Sequence, residues 1–339
     1  MRSTSQLPGI GYTVPIWFFA LSACVTPMGL VTAAVSAQES QLFSYSDIPV
    51  PKFADRGESQ PVGSALTVRR YDVSLGMQGG YYDAPGMGGK LILLLPPGEH
   101  GDQSLSCVVA AERGLHYLWG GSLDISHTEE AHIVLAEAGL AVVAYELDGP
   151  NREVFNPAAE QKAFAAVKAS CGGLVNARNA FEYVLQKVPE VNPKQVYAYG
   201  THSAASHALL FAEHEPRLAG AIAYRPRLDL VTSIRDYGAL PETIRLPGFI
   251  ELARKMSPLT HLKQLKCPTL LFHETGDRFD TIEPGRTQVR LLNELPNRLK
   301  EQGTEATLVK VDGESGKRAL DVIPTVSQWI REKGTAKPR

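Results

Sequence analysis

The sequence predicts an α/β fold, a mostly parallel sheet of about eight strands covered by helices on both faces. Three observations carry this. Short, nearly continuous apolar runs recur along the chain, as expected of strands buried on both sides. Helix-like stretches alternate with most of them. Hydrophobic residues make up 44% and charged residues 21% of the 339. That is ordinary globular usage, and it excludes a disordered tail protein, a collagen-like repeat and a multi-span membrane protein.

Residues 1–37 read as an export leader. No charge falls between Arg2 and Glu39, and residues 14–37 are largely apolar. Val35-Ser36-Ala37 offers small residues to a signal peptidase, which would leave Gln38 as the mature start. Leu21-Ser22-Ala23-Cys24 resembles a bacterial lipobox, with Cys24 as the lipidated residue. An uncleaved anchor is the third alternative, since about 20 apolar residues span a bilayer; Pro15 and Pro27 weigh against it. Each alternative implies export to the periplasm, the exterior or the envelope surface. Membrane contact is expected only through the leader or a lipidated Cys24. Residues 38–66 carry Ser, Pro, Gly and mixed charge without a period, and read as an extended linker or surface-wrapping arm.

The globular domain is expected over 67–335. Strands are predicted at 71–75, 91–95, 105–110, 141–145, 195–199, 220–224, 269–273 and 306–311. The first two lack a helix between them, so the sheet should open with an antiparallel hairpin or meander. Helices are predicted at 128–138, at 158–188 with a break at Cys171-Gly172-Gly173, and at 203–213, 287–300 and 322–333. Residues 228–262 break the alternation and read as an insertion over the carboxyl edge of the sheet.

Charge narrows the partners. Lys plus Arg is 34 against 36 for Asp plus Glu, a formal −2, so no basic surplus exists to neutralise a phosphate backbone and nucleic acid is not an expected partner. Cys24, Cys107, Cys171 and Cys267 lack zinc-site spacing and are too few for a disulfide scaffold. Cys107 and Cys267 sit in or beside strand-like runs and read as buried apolar residues. No cofactor and no metal is implied.

The most informative segment is 195–207. A short apolar strand runs through Gly200-Thr201-His202-Ser203-Ala204 directly into an apolar helix. Small residues there let strand and helix approach closely at a strained turn, the design of a nucleophile elbow. With the helix end at 214–217, the strand at 220–224, Ser257-Pro258-Leu259, the strand at 269–273 and Gly276-Asp277, this segment resembles the α/β-hydrolase superfamily. The likeness is to its prolyl-oligopeptidase and dienelactone-hydrolase members, over about residues 70–335. It implies a serine hydrolase frame with nucleophile, acid and histidine in that chain order.

The residues depart from that pattern. In G-x-nucleophile-x-G, the nucleophile position falls on His202, Ala204 replaces the second glycine, and Ser203 arrives one residue late. Asp277 stands at the acid position, with Glu274 and Asp280 as neighbours. No histidine follows Asp277, and Ser315 or Gly316 stands where the resemblance puts the triad histidine. Glu112, Arg113 and Gly114 occupy the turn expected to supply an oxyanion N–H, where charge would crowd a developing oxyanion. A serine hydroxyl is a weak nucleophile without an adjacent base. The first expectation is therefore a catalytically degenerate hydrolase that binds a small molecule or peptide around His202, Ser203, Asp277 and the Ser315 loop. The alternative is an active esterase or peptidase using Ser203, a displaced histidine such as His207, and Asp277. Two other readings are a His202 nucleophile cradled by Arg225 and Arg227, and a metal held by His202, His273, Glu274 and Asp277.

Overall fold

The computed structural model describes residues 43–73, 90–112, 129–149, 157–236, 246–276, 285–313 and 319–335, with Pro85 and Leu123. The leader and Cys24 lie outside the described residues. Nine strands form one sheet: β1 Gln60–Val62, β2 Val68–Val73, β3 Leu91–Leu95, β4 Leu105–Ala111, β5 Ala141–Tyr145, β6 Val191–Thr201, β7 Gly220–Tyr224, β8 Thr269–Thr275 and β9 Ala306–Asp312. Their order is β1-β2-β3-β5-β4-β6-β7-β8-β9. The first three make an antiparallel meander, and β3 also pairs antiparallel with β5. From β5 through β4, β6, β7 and β8 to β9 every pairing is parallel.

Alternation along the strands shows both faces buried. In β5, Ala141, Val143 and Tyr145 join one core, while Val142 and Ala144 join the other. The first core is closed by α2 (Pro157–Ala169), α3 (Leu174–Lys187), α4 (Ser203–His214), α5 (Leu230–Asp236), α6 (Phe249–Met256) and α8 (Gly285–Glu301); the second by α1 (Glu129–Glu137) and α9 (Ile323–Thr335). Helix α7 is Pro258–His261. Tyr197 meets Trp329 edge to face at 5.9 Å, tying β6 to α9. Cys107 is wholly buried in β4, Cys171 and Cys267 are half-buried, and all three are free thiols. Among the described residues, no helix is long and apolar enough to cross a membrane.

Three strand features differ from the sequence expectation. The strand expected at 71–75 runs Val68–Val73 as β2, because Arg69 and Arg70 pair with Leu95 and Leu94 and extend the ladder backward. The sheet has a ninth strand, β1, because three residues around Pro61 pair with Val68–Arg70 at an edge, where proline's missing donor costs nothing. Strand β6 begins at Val191 rather than 195, since a register shift between Leu105 and Cys107 on β4 lets the polar Asn192-Pro193-Lys194 stay in the ladder. The break between α2 and α3 follows the expected Cys171-Gly172-Gly173, with φ of 54°, 69° and 85°. A Cβ on Gly173 would sit 2.6 Å from Leu147 Cδ2, so both the conformation and the space call for glycine.

Helix α4 carries one costly group. Glu213 is buried, and neither carboxylate oxygen has a hydrogen-bond partner among the described residues. Burial holds its acid well above the ordinary carboxylate range, so it sits protonated. The nearby Cys267 thiol is pushed up to about 12, mainly by burial, with Glu213 adding to it.

Because the folded state binds this proton more tightly than the unfolded chain, stability from Glu213 is full below the ordinary value of 4.5 and is lost as pH rises. Glu213→Met should raise unfolding stability by about 2 kcal/mol at pH 8, with the gain shrinking toward pH 4.5. Urea titrations of both proteins at the two pH values measure this directly.

Candidate functional site

The parallel strands β6, β7 and β8 end side by side, with Thr201 opposite Tyr224 and Tyr224 opposite Phe272. The ladder continues one residue past each strand. His202 N–H donates to Tyr224 O at 2.8 Å, and Arg225 N–H to Phe272 O at 2.9 Å. Here β6 turns sharply into α4. A Cβ on Gly200 would lie 2.1 Å from Ala204 O and 2.6 Å from Ala205 N. Strand and helix cross in contact, and only glycine fits.

The residue forced into the strained conformation is His202, with φ 55° and ψ −115°. Such a conformation costs a non-glycine residue about 1–3 kcal/mol. His202 is half-buried, and its ring lies 6.0 Å from that of Tyr224, tilted by 51°. Ser203, also half-buried, is already the first residue of α4. The turn therefore presents an imidazole, and the hydroxyl belongs to the helix.

His207 lies one turn further along α4. Its ring is buried against Tyr145, at 6.0 Å edge to face, and neither ring nitrogen has a hydrogen-bond partner among the described residues. It thus makes no hydrogen bond to Ser203. Burial, with His214 adding to it, pushes His207 down to about 3, so the ring is neutral at ordinary pH.

At the end of β8 stands Glu274. Its Oε2 accepts from Tyr224 Oη at 2.9 Å and from Arg225 Nη1 at 3.0 Å. Arg225 is itself strained, at φ 56°, so adjacent strand ends both hold non-glycine residues in a left-handed conformation. Burial first, then Glu274, raises the Tyr224 phenol, which stays protonated as a donor. Arg227 N–H donates to Ser206 Oγ at 2.8 Å, pinning the segment after β7 to α4.

Glu112, after β4, is buried, and its N–H is spent on Tyr145 O at 2.9 Å. That N–H cannot also donate toward His202. The sequence reading passed over two further buried acids at this edge. Glu146 accepts from Leu123 N–H at 2.7 Å and Lys90 N–H at 3.1 Å, while Asp148 accepts from Asn176 Nδ2 at 2.9 Å. The available signal was an acid directly or closely following an apolar strand. Asp277, Asp280, Ser315, Gly316, Arg113 and Gly114 lie outside the described residues. Among the described residues, no three His, Cys, Asp or Glu side chains gather closely enough to hold a metal ion.

No protein-family model matches the chain, and no curated protein matches it. Solved structures do. Acetyl xylan esterase from Paenibacillus sp. R4 superposes with a TM-score of 0.55 at 15% identity, over 86% of this chain and 96% of that one. The acylaminoacyl peptidase of Pyrococcus horikoshii gives 0.55 at 14% identity, over 76% of this chain and 42% of that one. This chain therefore corresponds to less than half of the peptidase. These likenesses, with the strand order, establish the α/β-hydrolase fold.

Two substitutions in the turn should act with opposite sign. Gly200→Ala drives a methyl into backbone and should cost about 3 kcal/mol or more of unfolding stability. His202→Gly removes left-handed strain and should gain about 1 kcal/mol. Chemical denaturation of the two variants beside the wild type measures both.

Proposed function

We propose that the chain is an exported protein that keeps the α/β-hydrolase frame without its hydrolytic chemistry. In this reading it binds a small molecule or peptide in the cleft around His202. One observation carries it: the strained turn position belongs to His202, while Ser203 is one residue late and already helical. Three others support it. A ring held down to about 3, as His207 is, makes a poor base near neutral pH. Glu274 is engaged by Arg225 and Tyr224 and is not open to orient an imidazole. No histidine follows Asp277.

Binding would use the frame's own polar rim. His202 offers an imidazole at the apex, Ser203 a hydroxyl beside it, and the Tyr224–Glu274–Arg225 cluster a fixed wall. Export rests on the uncharged, apolar stretch before Glu39. A lipid on Cys24 or a retained anchor would keep the protein at the envelope, and cleavage after Ala37 would release it.

The second reading is an active esterase or peptidase using Ser203, a displaced histidine and Asp277. The names of the neighbours, an esterase and an acylaminoacyl peptidase, favour it.

Fluorophosphonate labelling separates the two. The purified chain and its Ser203→Ala variant should both stay unlabelled while folded, with equal melting temperatures. Labelling of the wild type that disappears in the variant would establish the serine hydrolase instead. A thermal-shift screen of esters, carboxylates and short peptides should then find ligands whose stabilisation is lost in His202→Ala.

A further inference from the structure

Away from the cleft, the arm that begins at Phe43 runs along α3 and α4. Most of its first part is held by Arg178, whose guanidinium donates to Tyr45 O at 2.9 Å, Ile48 O at 2.8 Å and Pro49 O at 3.4 Å. The end nearest the leader is held differently. Phe43 N–H donates to His214 Nε2 at 3.3 Å, and Tyr45 Oη donates to His214 O at 3.4 Å. His214 Nδ1 lies 2.9 Å from Leu210 O. Nδ1 therefore carries the proton and Nε2 is the bare acceptor, which defines a neutral imidazole.

A second histidine completes the clasp. The rings of His214 and His261 meet edge to face at 4.9 Å, and Phe43 lies against both, at 5.9 and 6.3 Å. His261 Nε2 donates to Lys255 O at 2.7 Å. Beyond residue 52 the anchors involve no histidine. Phe53 is buried against Tyr183 at 5.5 Å, Lys187 pairs with Asp55 at 2.6 Å, and Arg56 grips Glu190 with both nitrogens.

We propose that Phe43, Ser44 and the Tyr45 ring form an acid-released strap, which leaves α4 when the His214–His261 pair gains a proton, while Arg178 on α3 and the anchors from Phe53 onward hold. A proton on His214 Nε2 removes the acceptor and sets one N–H against another. The groups around it do not welcome the charge. His261 faces it from α7, with Lys255 of α6 behind; His207 lies on its own helix, and Arg178 of α3 sits by Tyr45. Glu215, the carboxylate next in sequence, is paired with Arg217 at 2.6 Å, and Glu213 is buried and protonated.

Burial first, with His261 adding to it and the Leu210 carbonyl opposing, holds His214 down to about 4. With Phe43 gone, the imidazole moves back toward its ordinary 6.5. The closed state thus binds fewer protons than the open one and weakens as pH falls below 6.5, by at most about tenfold per unit, until about pH 4. Freed, residues 43 and 44 span at most about 3.3 Å each, which moves the point where the chain leaves the domain to Tyr45.

Hydrogen exchange of the full chain at pH 7 and pH 4, corrected for intrinsic rates, tests this. The Phe43 amide should lose protection, by at most about a hundredfold, while that of Ile48 and those of β6 and α4 keep theirs. In His214→Gln, whose amide oxygen accepts but cannot take a proton, the strap should stay protected at pH 4. The His214 ring, followed by NMR in the wild type, should titrate with the midpoint of strap release. Unchanged strap protection at pH 4, simultaneous loss throughout β6 and α4, parallel loss in the variant, or a different midpoint for His214 would each overturn the proposal.

Discussion

The contact between Gly200 and the backbone of Ala204 and Ala205 is the constraint on which the carboxyl edge depends. With 2.1 Å between a notional Cβ and Ala204 O, β6 and α4 cross nearer than any side chain allows. The chain must then reverse direction within one residue, and His202 takes the strained dihedrals. Once α4 is fixed against β6, its neighbours are set. Arg227 closes onto Ser206, and His207 is wedged beside Gly173 and Tyr145. The two cores flanking the sheet supply the burial that offsets this strain.

The same edge shows how the chain handles charge. Parallel strands bring their carboxyl ends together, and here the residues that follow include Glu112, Glu146, Asp148 and Glu274. Three of these have their carboxylates satisfied locally: Glu146 by backbone N–H groups, Asp148 by Asn176, and Glu274 by Arg225 and Tyr224. Such bonds leave the acid little freedom to steer an imidazole. A triad needs the opposite, an acid aimed at a ring that is in turn aimed at a hydroxyl. Among the described residues, these three acids are held in closed pairs, each committed to a named donor.

How much of this could be read in the sequence follows from how local each feature is. Strands β3, β5 and β7 begin and end where their apolar runs do, because burial on both faces leaves no other pattern. The strained turn was legible in Gly200 and His202, since strand, turn and helix are contiguous. Strand β1 was not, because three residues around a proline carry no periodicity and gain their pairing only from β2. The Tyr224–Glu274 bond joins residues 50 apart, and the Phe43–His214 bond residues 171 apart. Nothing in either local sequence marks the partner.

Helix α4 and its surroundings also decide where in the pH range the frame is most secure. His132, His207 and His214 are each held down, mainly by burial, to about 4, 3 and 4, and burial lowers His261 as well. A depressed histidine contributes stability that is full above 6.5 and lost progressively as pH falls from there to its folded value. Glu213 acts the other way, since its raised acid contributes stability below 4.5 that is lost as pH rises. Between 4.5 and 6.5 the two effects compete, four described histidines against one acid, so stability still climbs with pH. Above 6.5 the histidines have nothing more to gain, and the Glu213 term carries stability down, joined from about pH 9 by the raised thiols of Cys107 and Cys267. These groups therefore place the optimum near pH 6.5, set by the ordinary titration of imidazole in the unfolded chain rather than by any value within the fold.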